Sequence, residues 1–182
     1  MTCIKAATIG TQRLELLPVR VEYAEEMARV LGDPALHSYI GGAPETVEQL
    51  RSRYERWCAG SPDPTVTWLN WVIRLRSDGH LTGTVQATIA PEDDGVVAEA
   101  AWVVGAPWQR RGIATETAGA LVDWLAAQPV HEITAHIHPD HAASAAVAAA
   151  AGLTPTDRWQ DGERRWRRRI QRRPGRLPPR IP

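Results

Sequence analysis

Apolar positions along the chain switch between a period of two and a period near 3.6, and the switches mark out one α/β domain. Residues 13–19 (Arg-Leu-Glu-Leu-Leu-Pro-Val) read as a first strand. Over residues 22–31, Tyr23, Met27, Val30 and Leu31 fall on one helical face, and Gly32-Asp33-Pro34 ends the run. Thr46, with Gln49 three residues on, has the pattern of a capping box. Val47, Leu50, Tyr54, Trp57 and Cys58 then keep helical spacing to Ala59. The Gly60-Ser61-Pro62-Asp63-Pro64 cluster predicts a loop. Residues 68–75 and 81–89 predict strands joined through Ser77-Asp78-Gly79, with a further turn over 91–95. Residues 97–105 are apolar or small apart from Glu99, the pattern of a central strand. Ala118, Leu121, Val122 and Leu125 stripe a third helix, and residues 131–137 alternate through Ile133, Ala135 and Ile137. Residues 142–151 form a small-residue helix closed by Gly152. Residues 153–159 and 164–170 are two last strands around Asp161-Gly162. The order is β-α-α-β-β-β-α-β-α-β-β, with no internal repeat.

One junction in this pattern carries chemistry. Val103-Val104-Gly105-Ala106-Pro107-Trp108-Gln109-Arg110-Arg111-Gly112-Ile113-Ala114-Thr115-Glu116 runs from a strand end through a basic turn into a helix. Such a turn leaves backbone N–H groups unpaired at the positive end of a helix dipole, which is a site for a phosphate or pyrophosphate. Gly112 allows close approach because it has no Cβ, and Arg110 and Arg111 add positive charge. A P-loop is excluded, because no Gly-Lys pair occurs in the chain. A dinucleotide fingerprint is excluded, because its three glycines at G-x-G-x-x-G spacing are missing here. An arginine-rich loop that only caps a helix is the plainer alternative.

Composition and charge narrow the setting. A chain of 182 residues suits a single domain. No apolar run approaches the ~20 residues of a membrane helix, so no membrane partner is expected. The first ten residues are too short and mixed for a secretory signal. Cys3 and Cys58 make neither a metal quartet nor a disulfide framework, so a reduced, cytoplasmic protein is expected. The formal charge of zero hides an asymmetry: residues 164–182 hold nine arginines and no acid, and the other 163 residues carry a net of −9. An acidic body favours cationic acceptors such as amines. The basic end could bind nucleic acid, but no aromatic RNA-binding signature accompanies it, so that reading ranks last. More simply, the arginines of residues 164–170 lie on a strand with a solvated face. Residues 173–182, rich in Pro and Arg, are expected to be a disordered tail to a domain of residues 1–172.

The spacing Gln109-x-x-Gly112-x-Ala114 resembles the acyl-CoA signature of the GNAT superfamily of N-acetyltransferases. Further segments resemble the branch of ribosomal-protein N-terminal acetyltransferases: Leu81-Thr82-Gly83-Thr84-Val85; Ala98-Glu99-Ala100-Ala101-Trp102-Val103-Val104, with an acid five residues before the last valine; Gly112-Ile113-Ala114-Thr115-Glu116; and His136-Ile137-His138-Pro139-Asp140-His141-Ala142-Ala143-Ser144, followed by Ala-Gly-Leu at 151–153. These segments stand in the family's order. The resemblance implies a single α/β (α+β) domain whose mixed, mostly antiparallel seven-stranded sheet is flanked by about four helices. The fourth and fifth strands would splay to admit acyl-CoA. It implies an acetyl-CoA-dependent N-acetyltransferase acting on a primary amine, a protein N-terminus or a small molecule, by direct attack in a ternary complex. A homodimer is an option that members of this fold often take. A non-catalytic CoA-binding regulatory protein is the alternative.

The same resemblance distributes roles. The pyrophosphate would sit on the amides of Arg110, Arg111, Gly112, Ile113, Ala114 and Thr115, with Gln109 opening the turn. The strand edge at Val103 and Val104 would hold the pantetheine arm and supply N–H donors to the carbonyl, worth about 3–4 kcal/mol per donor. Glu99, the one ionisable residue of an apolar strand, is the candidate general base, directly or through a water. The alternative is a structural glutamate, paired with an arginine or exposed on one face. Ser144 is the candidate donor of a proton to the thiolate, or else a cap or a small packing residue. The tyrosine that many members carry three or four residues further on is replaced by Val147 and Ala148. The branch carries Asn where His141 stands, against the CoA arm. In the fold the acceptor pocket is lined from the first two helices, the second strand and the last hairpin. The candidates are His37, Tyr39, Trp68, Asn70, Trp71 and Trp102, of which Trp71 and Trp102 read better as core. His136, His138, Asp140 and His141 could suggest a metal, but they match no reactive-metal motif and CoA transfer needs none, so no metal is expected.

Overall fold

The computed structural model describes residues 4–171. Cys3 and the expected tail of residues 173–182 lie outside them. Eight strands form one sheet in the order β1-β2-β3-β4-β5-β6-β8-β7. They are β1 (Ile9–Gly10), β2 (Leu14–Pro18), β3 (Thr67–Leu75), β4 (Leu81–Glu92), β5 (Gly95–Val104), β6 (Glu132–Ile137), β7 (Thr154–Gln160) and β8 (Glu163–Arg169). The helices are α1 (Ala24–Val30), α2 (His37–Ile40), α3 (Val47–Ala59), α4 (Ile113–Ala126) and α5 (Ala142–Ala150). The eighth strand is β1. It is two residues long, too short for an alternating pattern to show, and it is held by its pairing with β2. Likewise α2 is a single turn behind the Pro34 break.

Each face of the sheet carries two of the longer helices. On one, Ala24, Met27, Val30, Leu50 and Tyr54 of α1 and α3 pack on Val72 and Leu81. On the other, Ile113, Ala118, Leu121, Val122 and Leu125 of α4 join Val147 and Ala148 of α5 in the larger core. The cap of α3 forms as its sequence predicts. Gln49 N–H donates to Thr46 Oγ1 at 3.2 Å, and Thr46 N–H donates to Gln49 Oε1 at 2.9 Å, an arrangement worth about 1 kcal/mol. The expected turn over 91–95 contracts to Asp93-Asp94, since Glu92 pairs with Gly95. Pro91 fits inside β4 because β3 ends opposite Ile89, so the missing N–H faces no ladder on that side.

Strands β5 and β6 are the sheet's one parallel pair. Their ladder holds only Val97↔Glu132, Ala98↔Ile133 and Glu99↔Thr134. Beyond Glu99, β5 continues to Val104 along β4, while β6 continues to Ile137 along β8. The two strands therefore part at Glu99, as the resemblance implied for its fourth and fifth strands.

The β4 side of this junction is tight. A Cβ on Gly83 would lie 2.1 Å from the carbonyl oxygen of Val103. Gly83→Ala is expected to lower stability by about 1–3 kcal/mol, the usual cost of overpacking, read as a drop in the urea midpoint with an unchanged slope.

Candidate active site

Where β5 and β6 separate, two cavities meet. The first, of about 440 Å³, lies on the α1/α3 side and is lined by Glu99, His136, Thr84, Gln86, Tyr54 and Glu163 among others. The second, of about 360 Å³, runs from Val103 and Val104 to the start of α4. Tyr39, Trp102, Val103, His141 and Ser144 line both, so these five mark the junction.

The second cavity is built by the turn before α4. Gln109 Nε2 donates to the Val104 carbonyl at 3.0 Å and ties the turn to the strand end. Arg110 (φ 59°) and Gly112 (φ 75°) both take left-handed backbone, which Gly tolerates freely and Arg does not. The first helical rung of α4 runs from Glu116 N–H to the Gly112 carbonyl. The amides of Ile113, Ala114 and Thr115 precede it and have no acceptor within the helix. Among the described residues no side chain caps this end. The expected cofactor residues Val103, Val104, Gln109, Arg110, Gly112, Ile113, Ala114, Thr115, His141 and Ser144 all line this cavity. Arg111 does not: its side chain is exposed and its carbonyl accepts from Arg13 Nη1 at 3.0 Å. The donor set fits a pyrophosphate, with free amides at a helix N-terminus and an arginine beside them.

Arg13 and Glu116 brace that turn from behind, and no sequence signal pointed to their pairing. Glu116 Oε1 accepts from the Arg13 amide at 3.0 Å, and Oε2 from Arg13 Nε at 2.7 Å. Burial opposes ionisation of Glu116, but the Thr11 and Arg13 hydrogen bonds outweigh it and hold the carboxyl below its usual range.

In the first cavity, Glu99 differs from its expected isolation. Its side chain is 48 % exposed, and Oε1 lies 2.9 Å from His136 Nδ1. It is thus exposed on one face and paired, as the structural alternative had it, but with a histidine instead of an arginine. The hydrogen bond from His136 lowers the Glu99 pKa, and the same bond raises that of His136. Period-two spacing puts Thr134 and His136 on one face of β6, and the register Glu99↔Thr134 brings Glu99 to that face.

Tyr39 and His37 line the first cavity as expected, but Trp68 and Asn70 line neither. Both project from the cavity's side of the sheet, one strand too far out. Their partners across the ladder are Thr88 and Gln86, and it is Gln86, with Thr84, that reaches the cavity. Trp71 is core, 1 % exposed, with its indole N–H donating to the Ala7 carbonyl at 2.8 Å. Trp102, read as core, packs on the core and also lines the junction. The Tyr39 ring stacks on His141 at 4.1 Å and 3°. Burial lowers the His141 pKa, which favours the neutral ring. Ser144 is the third residue of α5 and does not cap it. The Tyr54 hydroxyl is buried without a hydrogen-bond partner among the described residues.

Comparison with known proteins identifies the family. The sequence model of the acetyltransferase (GNAT) domain matches residues 13–154. The chain belongs to this family. It is an N-acetyltransferase with acetyl-CoA as cosubstrate. Similar solved structures include a GNAT-family acetyltransferase from Bacillus anthracis, at 18 % identity and TM-score 0.73, covering 90 % of this chain and 99 % of that one. The RimL ribosomal L7/L12 alpha-N-protein acetyltransferase in complex with coenzyme A is similar at 17 % identity and TM-score 0.74, covering 90 % and 98 %. The spermidine N-acetyltransferase from Vibrio cholerae, with CoA and spermine, is similar at 15 % identity and TM-score 0.70, covering 88 % and 97 %. No curated protein matches the sequence. Among the described residues of the acetyltransferase, no three His, Cys, Asp or Glu side chains are grouped to hold a metal, and no helix is long and apolar enough to cross a membrane.

The brace behind the turn has a pH signature. With its folded pKa below 4.5, Glu116 contributes stability that is present above that value and lost as pH falls through the folded one. Glu116→Gln is expected to lower the melting temperature of the acetyltransferase at pH 7. It also flattens the loss of stability between about pH 5 and pH 3, measured by thermal melts across that range.

Proposed function

We propose that this acetyltransferase passes an acetyl group from acetyl-CoA directly to a primary amine bound at the same time. The observation that carries this reading is the meeting of the two cavities at the parted strands. One side offers uncapped helix amides for a pyrophosphate and the other a carboxylate–imidazole pair for an amine. Along β5, backbone beyond Glu99 has no ladder partner on the β6 side, so its polar groups are free to hold an amide-containing arm and a thioester carbonyl. One N–C bond forms and one C–S bond breaks. The proton of the amine goes to the Glu99–His136 pair, and Ser144, at the junction, returns one to the sulfur.

The acceptor is cationic in this reading. Glu99, Glu163 and Glu45 line the first cavity, while Arg53, its one arginine among the described residues, is paired with Glu45 at 3.1 Å. An acidic cavity concentrates ammonium groups and selects against anions. Two structural neighbours are a ribosomal L7/L12 alpha-N-protein acetyltransferase and a spermidine N-acetyltransferase, and both kinds of acceptor are amines of this sort. The free thiol of Cys58 is in keeping with a reducing cytoplasm as the compartment.

Titration calorimetry with acetyl-CoA tests the cofactor half. Binding by the wild type is expected to fall about tenfold or more, ~1.4 kcal/mol, in Gly112→Asp, which sets a carboxylate among the amides and strains a left-handed position. Thiol release in the presence of spermidine or a short serine-initiated peptide tests the acceptor half. Tight acetyl-CoA binding with no release for either would favour a non-catalytic CoA-binding role.

A further inference from the structure

We infer that the group which takes the amine's proton is Nε2 of His136, and that Glu99 is a positioning residue acting through the imidazole. The inference rests on the acetyl-transfer reading above and divides the labour within its acid–base pair.

Geometry makes the division. The β5–β6 ladder ends at Glu99↔Thr134. His136, two residues on, lies on the same face as Thr134, just past the point where the strands part. There the Glu99 carboxylate reaches across the opening to His136 Nδ1 at 2.9 Å. An ionised carboxylate only accepts, so Nδ1 carries the hydrogen and donates it. In the neutral ring that leaves the lone pair on Nε2. Nothing among the described residues is hydrogen-bonded to Nε2, and His136 lines the acceptor cavity. The imidazole is held rigidly: its side chain is 10 % exposed, against 48 % for Glu99. A buried ring with one nitrogen tied to a carboxylate and the other free is the working arrangement of a histidine base, in which the acid sets tautomer and orientation without itself taking the proton.

Base strength points the same way. The hydrogen bond that joins the pair drives Glu99 below 4.5, which makes it a weak acceptor for an ammonium proton, and drives His136 above 6.5, closer to an amine. The other charges facing His136 come from β8. Glu163 supports the raised value and Arg165, opposite His136 in the ladder, opposes it. Arg165 is already occupied by Glu92 and Glu132, each at 3.0 Å.

In the transfer step the N–C bond forms, the C–S bond breaks, and the amine proton passes to Nε2, directly or through one water. Nδ1–H stays on its nitrogen, hydrogen-bonded to Glu99. Activity then requires neutral His136, so kcat/KM falls as pH drops through the raised histidine pKa, above 6.5.

The test is kinetic and spectroscopic. Thiol release is followed against pH with spermidine and with a serine-initiated peptide, for wild type, His136→Gln and Glu99→Gln. Acetyl-CoA binding by calorimetry serves as control for folding. His136→Gln is expected to lose about 100-fold or more in kcat with acetyl-CoA binding kept. Glu99→Gln preserves an oxygen for Nδ1–H but removes the charge. It is expected to retain activity above that of His136→Gln, with the acidic limb of its profile moved to lower pH. In the ¹⁵N spectrum of the wild-type imidazole, the neutral ring is expected as the Nδ1–H tautomer. Near-wild-type activity of His136→Gln, an acidic limb below about pH 5, or an Nε2–H tautomer would overturn the inference while leaving acetyl transfer standing. Intact acetyl-CoA binding with neither amine consumed would sink the transfer reading, and this inference with it.

Discussion

The arrangement of this acetyltransferase depends on the early end of one ladder. A parallel pair of strands ordinarily satisfies its backbone polar groups along its whole length. Here β5 and β6 do so for three residue pairs and then part, because each is committed to its other neighbour, β5 to β4 and β6 to β8. The edge of β5 over residues 100–104 is left as polar backbone beside two cavities. The candidate site lies along that opening: the carboxylate–imidazole pair at its apex, Tyr39, His141 and Ser144 across its middle, and the turn before α4 at its far end.

Keeping the opening open requires rigid walls. Gly83 lets β4 pass close to the Val103 carbonyl. Gln109 anchors the turn to Val104, and the Arg13–Glu116 pair fastens the first turn of α4 to the approach to β2. The left-handed backbone of Arg110 and Gly112 is held by these contacts instead of relaxing. As the proposed phosphate site, a turn preorganised in this way would lose little to ordering on binding.

The charge asymmetry of the chain also resolves in the sheet. Arg165 meets Glu92 and Glu132, Arg167 and Arg169 lie within 4 Å of Glu132, and Arg168 within 4 Å of Asp123. Glu132, 8 % exposed, is the centre of this group. The arginines of β8 thus lie against acids of β4, β6, α4 and, through Arg164 and Asp157 at 3.9 Å, β7. The arginines at 172, 173, 176 and 180 lie outside the described residues.

What the sequence determined by itself was local. Helical and alternating periods, the Thr46–Gln49 cap, the hairpin at Ser77-Asp78-Gly79 and the anion turn at Gln109-x-x-Gly112 all depend on residues a few positions apart, so their energetics are written in short windows. The family resemblance added the parting of the strands and most of the second cavity's lining. Tertiary structure decided whatever depends on distant residues meeting. Glu99 and His136 are 37 positions apart, and Arg13 and Glu116 are 103 apart. No local pattern encodes such pairs; they follow from the register of β5 on β6 and the seating of α4 against β2. The same cause explains Trp68 and Asn70. Their parity was right and put them on the correct face, but lateral position across a sheet is set by strand order, which only the assembled fold provides.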